Sequence, residues 1–381
     1  MAKELSYAED VRMHYDPEKP HSRFVEKSPQ LKEAVQSGST LPSPVPWPAD
    51  AVPKAAPIHP EPSESDSLAK HFKGYDAIVM TYTSAEAAAL AALFTPGYPV
   101  ANWYEYRYDI AAYIPIVTGE KAPFNDDSSY NKRYYHSLGL YFPCMIGKAK
   151  VLLVKSGLHL DYDTASPVKA DTVIPFYKML TQMLYDVEPK MFITTGTGGG
   201  IGSDVMLGDV ILSTHTRFDC TEQFKSESWA KAIYATSSLP SRALDKITPQ
   251  LTGVNGAKIA QAKPIAGRAV PKIWYSHESN IVTTDVFAFD TSGDYYHLQG
   301  LGHACDMGDA MVGQVMQQDQ FKKIQWHAIR NASDPQIPNT PPQTIEEADK
   351  EAGNIYSTYG VFTTAASVIT TWAVIDAAFN S

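Results

Sequence analysis

Three carboxylates stand where polar loops follow apolar, β-branched runs of the sequence: Glu86, Asp285 and Asp334. Such runs predict buried strands, and α/β proteins bind ligands beside the carboxyl ends of their strands. A carboxylic acid whose pKa is raised by burial can donate a proton to a leaving group there. The positions therefore indicate proton-transfer chemistry at one edge of a sheet.

Residues 326–334, WHAIRNASD, are the most informative of these neighbourhoods. They are predicted to form a strand that delivers Arg330, Ser333 and Asp334 to the sheet edge. The alternative is a helix cap, formed by Ser333 or Asp334 before a proline-rich loop. A capping role and a catalytic role are compatible with each other.

Two other runs carry side chains that suit a sugar and a base. Asp306 and Asp309 flank Met307 at the start of a helix-like run, where they could hold a ribose, although a capped core helix also explains the pattern. A predicted strand end at residues 283–287 supplies Phe287. Its ring could stack on a base or simply pack in the core.

A glycine cluster lies within residues 191–219, between two apolar runs, which predicts a strand, a tight loop and a second strand. Glycine lets the main chain approach a ligand closely, so this stretch is a candidate floor for a small-molecule site. A P-loop is excluded because no lysine lies between Lys190 and Lys225, and a dinucleotide pattern begun at Gly196 would need glycine at Ile201. A glycine-rich hairpin without a ligand is the alternative.

Predicted strands and helices alternate from about residue 75 onward. Residues 75–82 suit a buried strand, and residues 84–94 suit a helix with Ser84 as its N-cap. Glu86 falls in the first turn of that helix, where it lies near the strand end but could equally stabilise the helix dipole. The alternation predicts an α/β domain whose mixed or parallel sheet is covered by helices. Helical patterns also cover residues 170–185, 227–237 and roughly 360–379.

The composition excludes several classes of partner. The chain has 381 residues, a net charge of -10 and a pI near 5.6, without the basic cluster that nucleic acid or an anionic membrane requires. Its three cysteines lack zinc-site spacing, the polar N-terminus is unlike a signal peptide, and no apolar run approaches the roughly 20 residues that cross a bilayer. We expect a soluble cytoplasmic protein that folds alone or as a homo-oligomer.

Residues 1–70 are predicted to be an N-terminal extension ahead of a domain formed by residues 71–381. One short helix is plausible near residues 29–36, and Trp47 favours some docking on the domain. Prolines at high density oppose both helices and sheets, so the segment is expected to run along the surface or to be partly disordered. The prolines concerned are Pro42, Pro44, Pro46, Pro48, Pro53, Pro57, Pro60 and Pro62.

Taken together, these blocks resemble the nucleoside phosphorylase and methylthioadenosine/S-adenosylhomocysteine nucleosidase superfamily over about residues 75–379. TTGTGGGI and LGDVIL are similar to its glycine-rich strand and its Gly-Asp-Val/Ile-Val strand, and YDAIVMTYTSAEAAAL is similar to its first strand and helix, whose catalytic Glu matches Glu86. VTTDVF matches the block with a base-stacking Phe, here Phe287, and AIRNASD matches Arg-x-Ile-Ser-Asp, whose Asp, here Asp334, protonates purine N7. The resemblance implies a single three-layer α/β/α domain with a central mixed sheet.

Two departures from the family bear on function. The family's Met-Glu, whose Glu holds the ribose 2′ and 3′ hydroxyls, reads Met307-Gly308 here, so that carboxylate is missing unless Asp306 or Asp309 replaces it. The loop at residues 156–159 lacks the arginines that bring phosphate to the phosphorylases, which favours water as the nucleophile. In that loop His159 replaces a glycine and would narrow the site.

The resemblance implies cleavage of the N-glycosidic bond of a purine nucleoside or modified nucleoside, without a metal or an organic cofactor. Asp334 would protonate N7, Glu86 would orient or deprotonate the attacking water, and Met307 would pack beneath the sugar. The residues expected to bind the substrate are Phe287, Met307, Asp306, Asp309, Thr197, Gly198, Gly199, Ser333, Arg330 and His159. Phosphorolysis, and a nucleoside-binding protein without turnover, are the alternatives.

Overall fold

The computed structural model describes residues 45–63, 65–117, 138–158, 160, 167–168, 171–172, 175–222, 224–252, 267–268, 270–339 and 342–380. The strands in these ranges are β1 (Pro53–Ala55), β2 (Ala77–Thr81), β3 (Tyr104–Tyr106), β4 (Gly139–Ile146), β5 (Ala149–Ser156), β6 (Pro167–Val168), β7 (Asp171–Thr172), β8 (Met191–Gly200), β9 (Val210–Leu212), β10 (His215–Phe218), β11 (Ile233–Ala235), β12 (Ile273–Trp274), β13 (Asn280–Thr283), β14 (Ala304–Asp306) and β15 (Gln325–Asp334). The helices are α1 (Ala69–Phe72), α2 (Ser84–Phe94), α3 (Ile110–Val117), α4 (Pro175–Val187), α5 (Ala243–Leu251), α6 (Asp309–Met316) and α7 (Ile345–Phe379).

A mixed β-sheet forms the centre of the molecule. Its main path runs β1-β4-β5-β2-β8-β14-β13-β10-β11, and β15 pairs with β8 in parallel and with β9 in the antiparallel sense. β2 is parallel to both β5 and β8, so the carboxyl ends of β2, β8 and β15 meet at one edge. The predicted α/β fold with a central mixed sheet is confirmed.

Helices cover both faces of this sheet, which the alternation of side chains along β2 illustrates. Ile78 and Met80 pack into a buried cluster that includes residues of α4 and α6, whereas Ala77 and Val79 pack into one that includes α5 and most of α7. All five residues of β2 are buried, as expected for a central strand with helices on both sides. The result is three layers with two apolar interfaces.

The glycine-rich stretch is a strand and not the predicted loop. Residues of β8 pair with β2 and β14 on one side and with β15 on the other, and all ten residues of the strand are buried. β9 is separated from β8 by β15, so the two runs do not form a hairpin either. Glycine is needed here because other groups press against the strand: a Cβ on Gly196 would lie 2.3 Å from Glu86 Oε1.

Three local predictions need correction. Residues 227–237 are not a helix, because β11 lies within them and pairs with the edge of the sheet at β10. The N-cap of α2 is Thr83, one residue before the predicted Ser84, because the Thr83 side chain accepts a hydrogen bond from the Glu86 N–H. The final helix begins at Ile345 and not near residue 360. Thr344 precedes it and forms a second capping box.

The prediction that no apolar run approaches the length of a membrane span is also wrong. Within α7, 22 residues from Thr358 to Phe379 have a mean hydropathy of 1.4 and are long and apolar enough to cross a bilayer. Most of their threonine hydroxyls donate to carbonyls within the helix, as Thr370 does to Ala366, whereas the Thr371 hydroxyl has no hydrogen-bond partner among the described residues. Of the apolar window, 94% is buried inside the protein, as in a core helix.

Part of the predicted N-terminal extension packs on the α/β layers. β1 pairs with β4 in the antiparallel sense, and the Trp47 ring lies 4.9 Å from that of Trp372 in α7. The Trp372 indole N–H donates to the Ala51 carbonyl at 2.8 Å. Residues 1–44, which contain the helix predicted near residues 29–36, lie outside the described residues.

Candidate functional site

A cavity opens where the carboxyl ends of β2, β8 and β15 meet the N-termini of α2 and α6. Ten of the twelve residues that the sequence suggested for the site line it. The lining residues are Tyr82, Thr83, Glu86, Thr197, Gly198, Gly199, Thr284, Phe287, Ala288, Cys305, Asp306, Met307, Gly308, Arg330, Ser333, Asp334 and Tyr356. Asp309 lies behind this lining, and His159 lies outside the described residues, although its neighbour Leu160 donates its N–H to the Met307 carbonyl at 3.1 Å.

Glu86 is a buried carboxylate whose two oxygens are surrounded by donors. Oε2 accepts from the Thr81 hydroxyl at 2.7 Å and from the N–H groups of Tyr82 and Thr83, both at 2.8 Å. Oε1 accepts from the N–H and the hydroxyl of Thr197, at 2.6 and 2.7 Å. Burial raises the pKa of Glu86, but the charge of a nearby arginine and these hydrogen bonds outweigh it, so the pKa is lowered and the group stays ionised.

Asp334 has the opposite environment. It ends β15 next to a register shift in the ladder with β8, with no helix following, so the helix-cap interpretation is wrong. Oδ1 accepts from the Ser333 hydroxyl at 2.8 Å, whereas Oδ2 has no hydrogen-bond partner among the described residues. Burial raises the pKa of Asp334 to about 7, with the Ser333 hydrogen bond opposing the change. A large fraction of this carboxyl group is therefore protonated near neutral pH.

Arg330 is the cation that balances the acids of the site. Its Nε donates to Asp309 Oδ2 at 2.8 Å, and its other nitrogens lie 3.1 Å from Asp306 Oδ2 and 3.5 Å from Glu86 Oε1. Burial lowers the pKa of Arg330, but the three carboxylates outweigh burial and raise it. The guanidinium is thus fixed in its charged form by protein groups.

The two aspartates that flank Met307 are held by the protein as well. Asp306 accepts from the Thr283 hydroxyl at 2.6 Å and from the N–H of Asp309 at 2.8 Å, besides its ion pair with Arg330. Burial and the neighbouring Asp309 carboxylate raise the pKa of Asp306, against the opposing effect of Arg330. Asp309 is fully buried on Arg330 at the start of α6.

The remaining predicted residues divide between the cavity and the scaffold. Phe287 lines the cavity and is only partly buried, with its ring 6.1 Å from that of Phe289, and Met307 lines it from the turn before α6. Asp285 does not line the cavity, because its carboxylate accepts backbone N–H groups of Thr221 and Phe224. It therefore stabilises a neighbouring loop.

Three aromatic or thiol side chains in the lining were not predicted from the sequence. Tyr82 follows β2 directly, so its place beside Glu86 was available from the strand prediction. Tyr356 donates its hydroxyl to Thr83, 273 residues away in the chain, and no local pattern reports such a contact. Cys305 in β14 donates its thiol to the Ala288 carbonyl at 3.2 Å. Burial and the adjacent Asp334 carboxyl raise the pKa of this thiol.

The site therefore combines a carboxyl group that can be protonated near neutral pH with an ionised carboxylate. Gly196 lies against Glu86 and Gly199 lies against Asp334, so the two acids contact β8 at positions three residues apart. Among the described residues, no cluster of three or more His, Cys, Asp or Glu side chains is arranged to hold a metal ion. The arrangement suits proton donation at one end of a small molecule and stabilisation of positive charge at the other.

Solved structures that match this chain include nucleosidases and a hydrolase, all at low sequence identity. A 5′-methylthioadenosine/S-adenosylhomocysteine nucleosidase from Helicobacter pylori has 14% identity and a TM-score of 0.45, with 80% of this chain and 98% of that chain covered. The futalosine hydrolase of H. pylori has 12% identity and a TM-score of 0.44, with 79% and 97% covered. A putative nucleosidase of the first kind from Francisella philomiragia has 13% identity and a TM-score of 0.46, with 79% and 98% covered. The search of curated proteins finds no match.

The family of this chain is shown by a match to a family sequence model and not by these distant structures. Residues 111–359 match the sequence model of the phosphorylase superfamily, a range that contains Phe287, Met307 and Asp334 and begins after Glu86. The match spans more than half of the chain, and the resemblance noted from the sequence motifs agrees with it. The chain belongs to the phosphorylase superfamily.

Proposed function

We propose that this protein hydrolyses the N-glycosidic bond of a purine nucleoside or a modified nucleoside and releases the free base. The observation that carries the proposal is Asp334 Oδ2, a buried oxygen in the cavity lining without a hydrogen-bond partner among the described residues. A buried polar atom without a partner is costly, so a site that retains one has a use for it when a ligand is bound.

In the proposed reaction the base leaves from the Asp334 side of the cavity. The bond between the sugar C1′ and the base nitrogen breaks with its electron pair moving into the purine, and protonated Asp334 donates a proton to N7. A pKa near 7 suits this role, since the acid is then protonated in a large fraction of molecules yet gives its proton up readily. Phe287 would stack on the base, and Met307 would pack beneath the sugar.

Glu86 would act at the sugar. As C1′ becomes cationic, the ionised carboxylate stabilises the charge, and the Thr197 hydroxyl that donates to Glu86 keeps lone pairs with which to orient a water molecule. Five hydrogen bonds and a lowered pKa make Glu86 a weak base. A weak base suffices once the water has bonded to C1′, because its proton is then strongly acidic.

Water is favoured over phosphate as the nucleophile because the described residues that line the cavity include no cation without a carboxylate partner. Arg330 is the one basic side chain among the described residues that line it, and Asp309, Asp306 and Glu86 hold its guanidinium. A phosphate dianion would meet three carboxylates and a single cation that is already paired. Neutral water pays no such penalty.

The cavity must widen to admit a nucleoside. Its volume is about 80 Å³, below the several hundred Å³ of typical small-molecule pockets. Phe287 and Met307 are the partly exposed apolar side chains in the lining, so they are the groups that would move aside and then close on the base and the sugar.

The proposal is tested by incubating the protein with a panel of purine ribonucleosides, 5′-modified nucleosides and 2′-deoxynucleosides, with and without phosphate, and separating the products by chromatography. We expect free base and free sugar independent of phosphate, and loss of release in Asp334→Asn. Asp376→Asn is the matched control, because Asp376 is an equally buried acid remote from the cavity. Sugar 1-phosphate would establish phosphorolysis instead. Binding without release from any nucleoside would establish a non-catalytic binding protein.

A further inference from the structure

Asp290 is a buried acid that does not line the cavity and takes no part in the proposed chemistry. Its Oδ2 accepts from the Gly202 N–H and from the Gln336 side-chain amide, both at 2.8 Å. Its Oδ1 accepts from the Gln299 side-chain amide at 3.1 Å. A buried carboxylate is costly unless it is hydrogen-bonded, so it strongly fixes the donors that surround it.

Two of these donors lie directly beyond the ends of β8 and β15. Gly202 follows the last residue of β8 by two positions, and Gln336 follows Asp334 by two positions. The ladder between the two strands shifts register between Ala332 and Asp334, so regular pairing stops at the proposed proton donor. Asp290 therefore joins the two strands just past the point where their pairing ends.

The main chain of Asp290 is held independently of its carboxylate. The Ile337 N–H donates to the Asp290 carbonyl at 2.8 Å, and the Ser292 N–H donates to the Ile337 carbonyl at 2.9 Å. These backbone bonds do not need an acid, so we expect the segment to stay folded when residue 290 is changed. The carboxylate adds the links to Gly202 and to the Gln336 side chain.

We propose that Asp290 is a positioning residue, which holds Asp334 where it can donate its proton to the base. The end of β8 forms one wall around the proton donor, because a Cβ on Gly199 would lie 3.2 Å from Asp334 Oδ2. The Asp290 carboxylate keeps this wall and the chain that leaves Asp334 in one arrangement. A misplacement of about 1 Å can lower the rate of a reaction about 100-fold. This inference rests on the proposed nucleosidase function.

The same links keep water away from Asp334. Burial is the main cause that raises the pKa of Asp334 to about 7. If the junction of the two strands loosens and admits water, this pKa falls towards its ordinary value of about 3.9. Activity that needs the protonated acid is then lost at a lower pH than in the wild type.

Asp290→Asn in the full-length protein tests the inference. Asparagine has a single acceptor oxygen, so it cannot accept the donors that now reach both carboxylate oxygens. We measure kcat and kcat/KM for base release from pH 5 to pH 9. We expect kcat at pH 5 to fall about tenfold or more. The pH at which kcat/KM is half-lost, near 7 in the wild type, should move down by about one unit or more.

The pH of half-loss decides the outcome. An unchanged value in Asp290→Asn would overturn the inference even if kcat fell, because a general loss of packing lowers kcat without altering the pKa of one acid. Such a result would leave the proposed function intact. Absence of base release from the wild-type protein would overturn the proposed function and the inference with it.

Gln336→Ala separates positioning from charge. It retains the Asp290 carboxylate but removes the link to the chain beyond Asp334, and we expect the pH of half-loss to move in the same direction. The titratable groups described near Asp334, the Cys305 thiol of β14 and the Tyr356 hydroxyl of α7, are retained in both variants. An unchanged value in Gln336→Ala would contradict the positioning role. This variant also provides the test if Asp290→Asn does not fold.

Asp186→Asn is the matched control. Asp186 is a buried acid that accepts from the Leu68 N–H and from the Gln182 side-chain amide, and it does not line the cavity. Its replacement should leave the pH of half-loss unchanged. An equal shift in this control would contradict a local effect of Asp290 on Asp334.

Discussion

The protonation state of Asp334 is expected to determine how the proposed activity depends on pH. The proposed proton donor works only in its protonated form, and burial raises its pKa to about 7. We therefore expect kcat/KM for base release to be highest below pH 7 and to fall about tenfold per pH unit above it, in initial-rate assays from pH 5 to pH 9. A profile that stays flat to pH 9 would contradict proton donation by this residue.

The raised pKa of Asp334 also makes the folded protein less stable as the pH increases. Its pKa in the folded protein exceeds the unfolded value of about 3.9, so the stabilisation that it contributes is complete below pH 4 and is lost as the pH rises to about 7. We expect Asp334→Asn to increase the free energy of unfolding by on the order of 4 kcal/mol at pH 8, and by only about 1 kcal/mol at pH 4.5. Urea titrations at both pH values measure this.

A control acid should behave in the opposite way. Asp376 accepts hydrogen bonds from Lys246 and Asn380. Its replacement by Asn therefore weakens favourable interactions, whereas the replacement of Asp334 removes an unfavourable buried charge. Asp376→Asn should lower the free energy of unfolding at pH 8. If both variants lowered it there, the charged form of Asp334 would not be the destabilising species.

Glu347 has the same position in a capping box as Glu86, so it serves as a control for Glu86. Glu86 and Glu347 both complete capping boxes, but Glu347 is exposed and remote from the cavity. We expect Glu86→Gln to lower kcat at least about 100-fold, because it removes the negative charge that stabilises the cationic sugar. Glu347→Gln should leave kcat unchanged, since Gln also completes a capping box. Equal effects of the two substitutions on kcat would show that Glu86 acts only as a helix-capping residue.

At the scale of elements, β8 brings the two proposed acids together, and its glycines permit their approach. A methyl group on Gly196 would lie 2.3 Å from Glu86 Oε1, whereas one on Gly202, just past the strand, would meet nothing within 4 Å. We expect Gly196→Ala to abolish base release by displacing Glu86. Gly202→Ala, despite backbone strain of about 1 kcal/mol at its positive φ, should keep most of it. Similar activity in the two variants would show that close packing on Glu86 is not required.

The elements also show what the sequence could predict. The ends of β2 and β15 and the start of α6 follow from local apolar patterns, and with them the placing of Glu86, Asp334 and Met307. Partners distant in sequence do not follow from such patterns. β15 inserts between β8 and β9, which turned an expected hairpin into separate strands, and Tyr356 reaches the cavity from a helix whose start was expected 15 residues later.

At the scale of the molecule, the long helix α7 joins the site to the N-terminal segment. It supplies Tyr356 to the cavity near its start and Trp372, packed under Trp47, near its end. A helix buried along most of its length transmits packing defects to everything it contacts. The stability of residues 45–55 and that of the site are therefore expected to depend on one core.

Trp47→Ala tests whether this docking stabilises the fold without taking part in the chemistry. The ring is half-buried 4.9 Å from Trp372, and its loss leaves apolar surface uncovered, so we expect the free energy of unfolding to fall by about 1–3 kcal/mol. The kcat/KM of the folded variant should match the wild type, because Trp47 does not line the cavity. Tyr295→Ala, at a side chain 57% exposed, is the control and should change stability by less than about 0.5 kcal/mol. Urea denaturation of both variants tests this: if Trp47→Ala unfolds at the same midpoint as the control, the Trp47 ring does not stabilise the packing of α7.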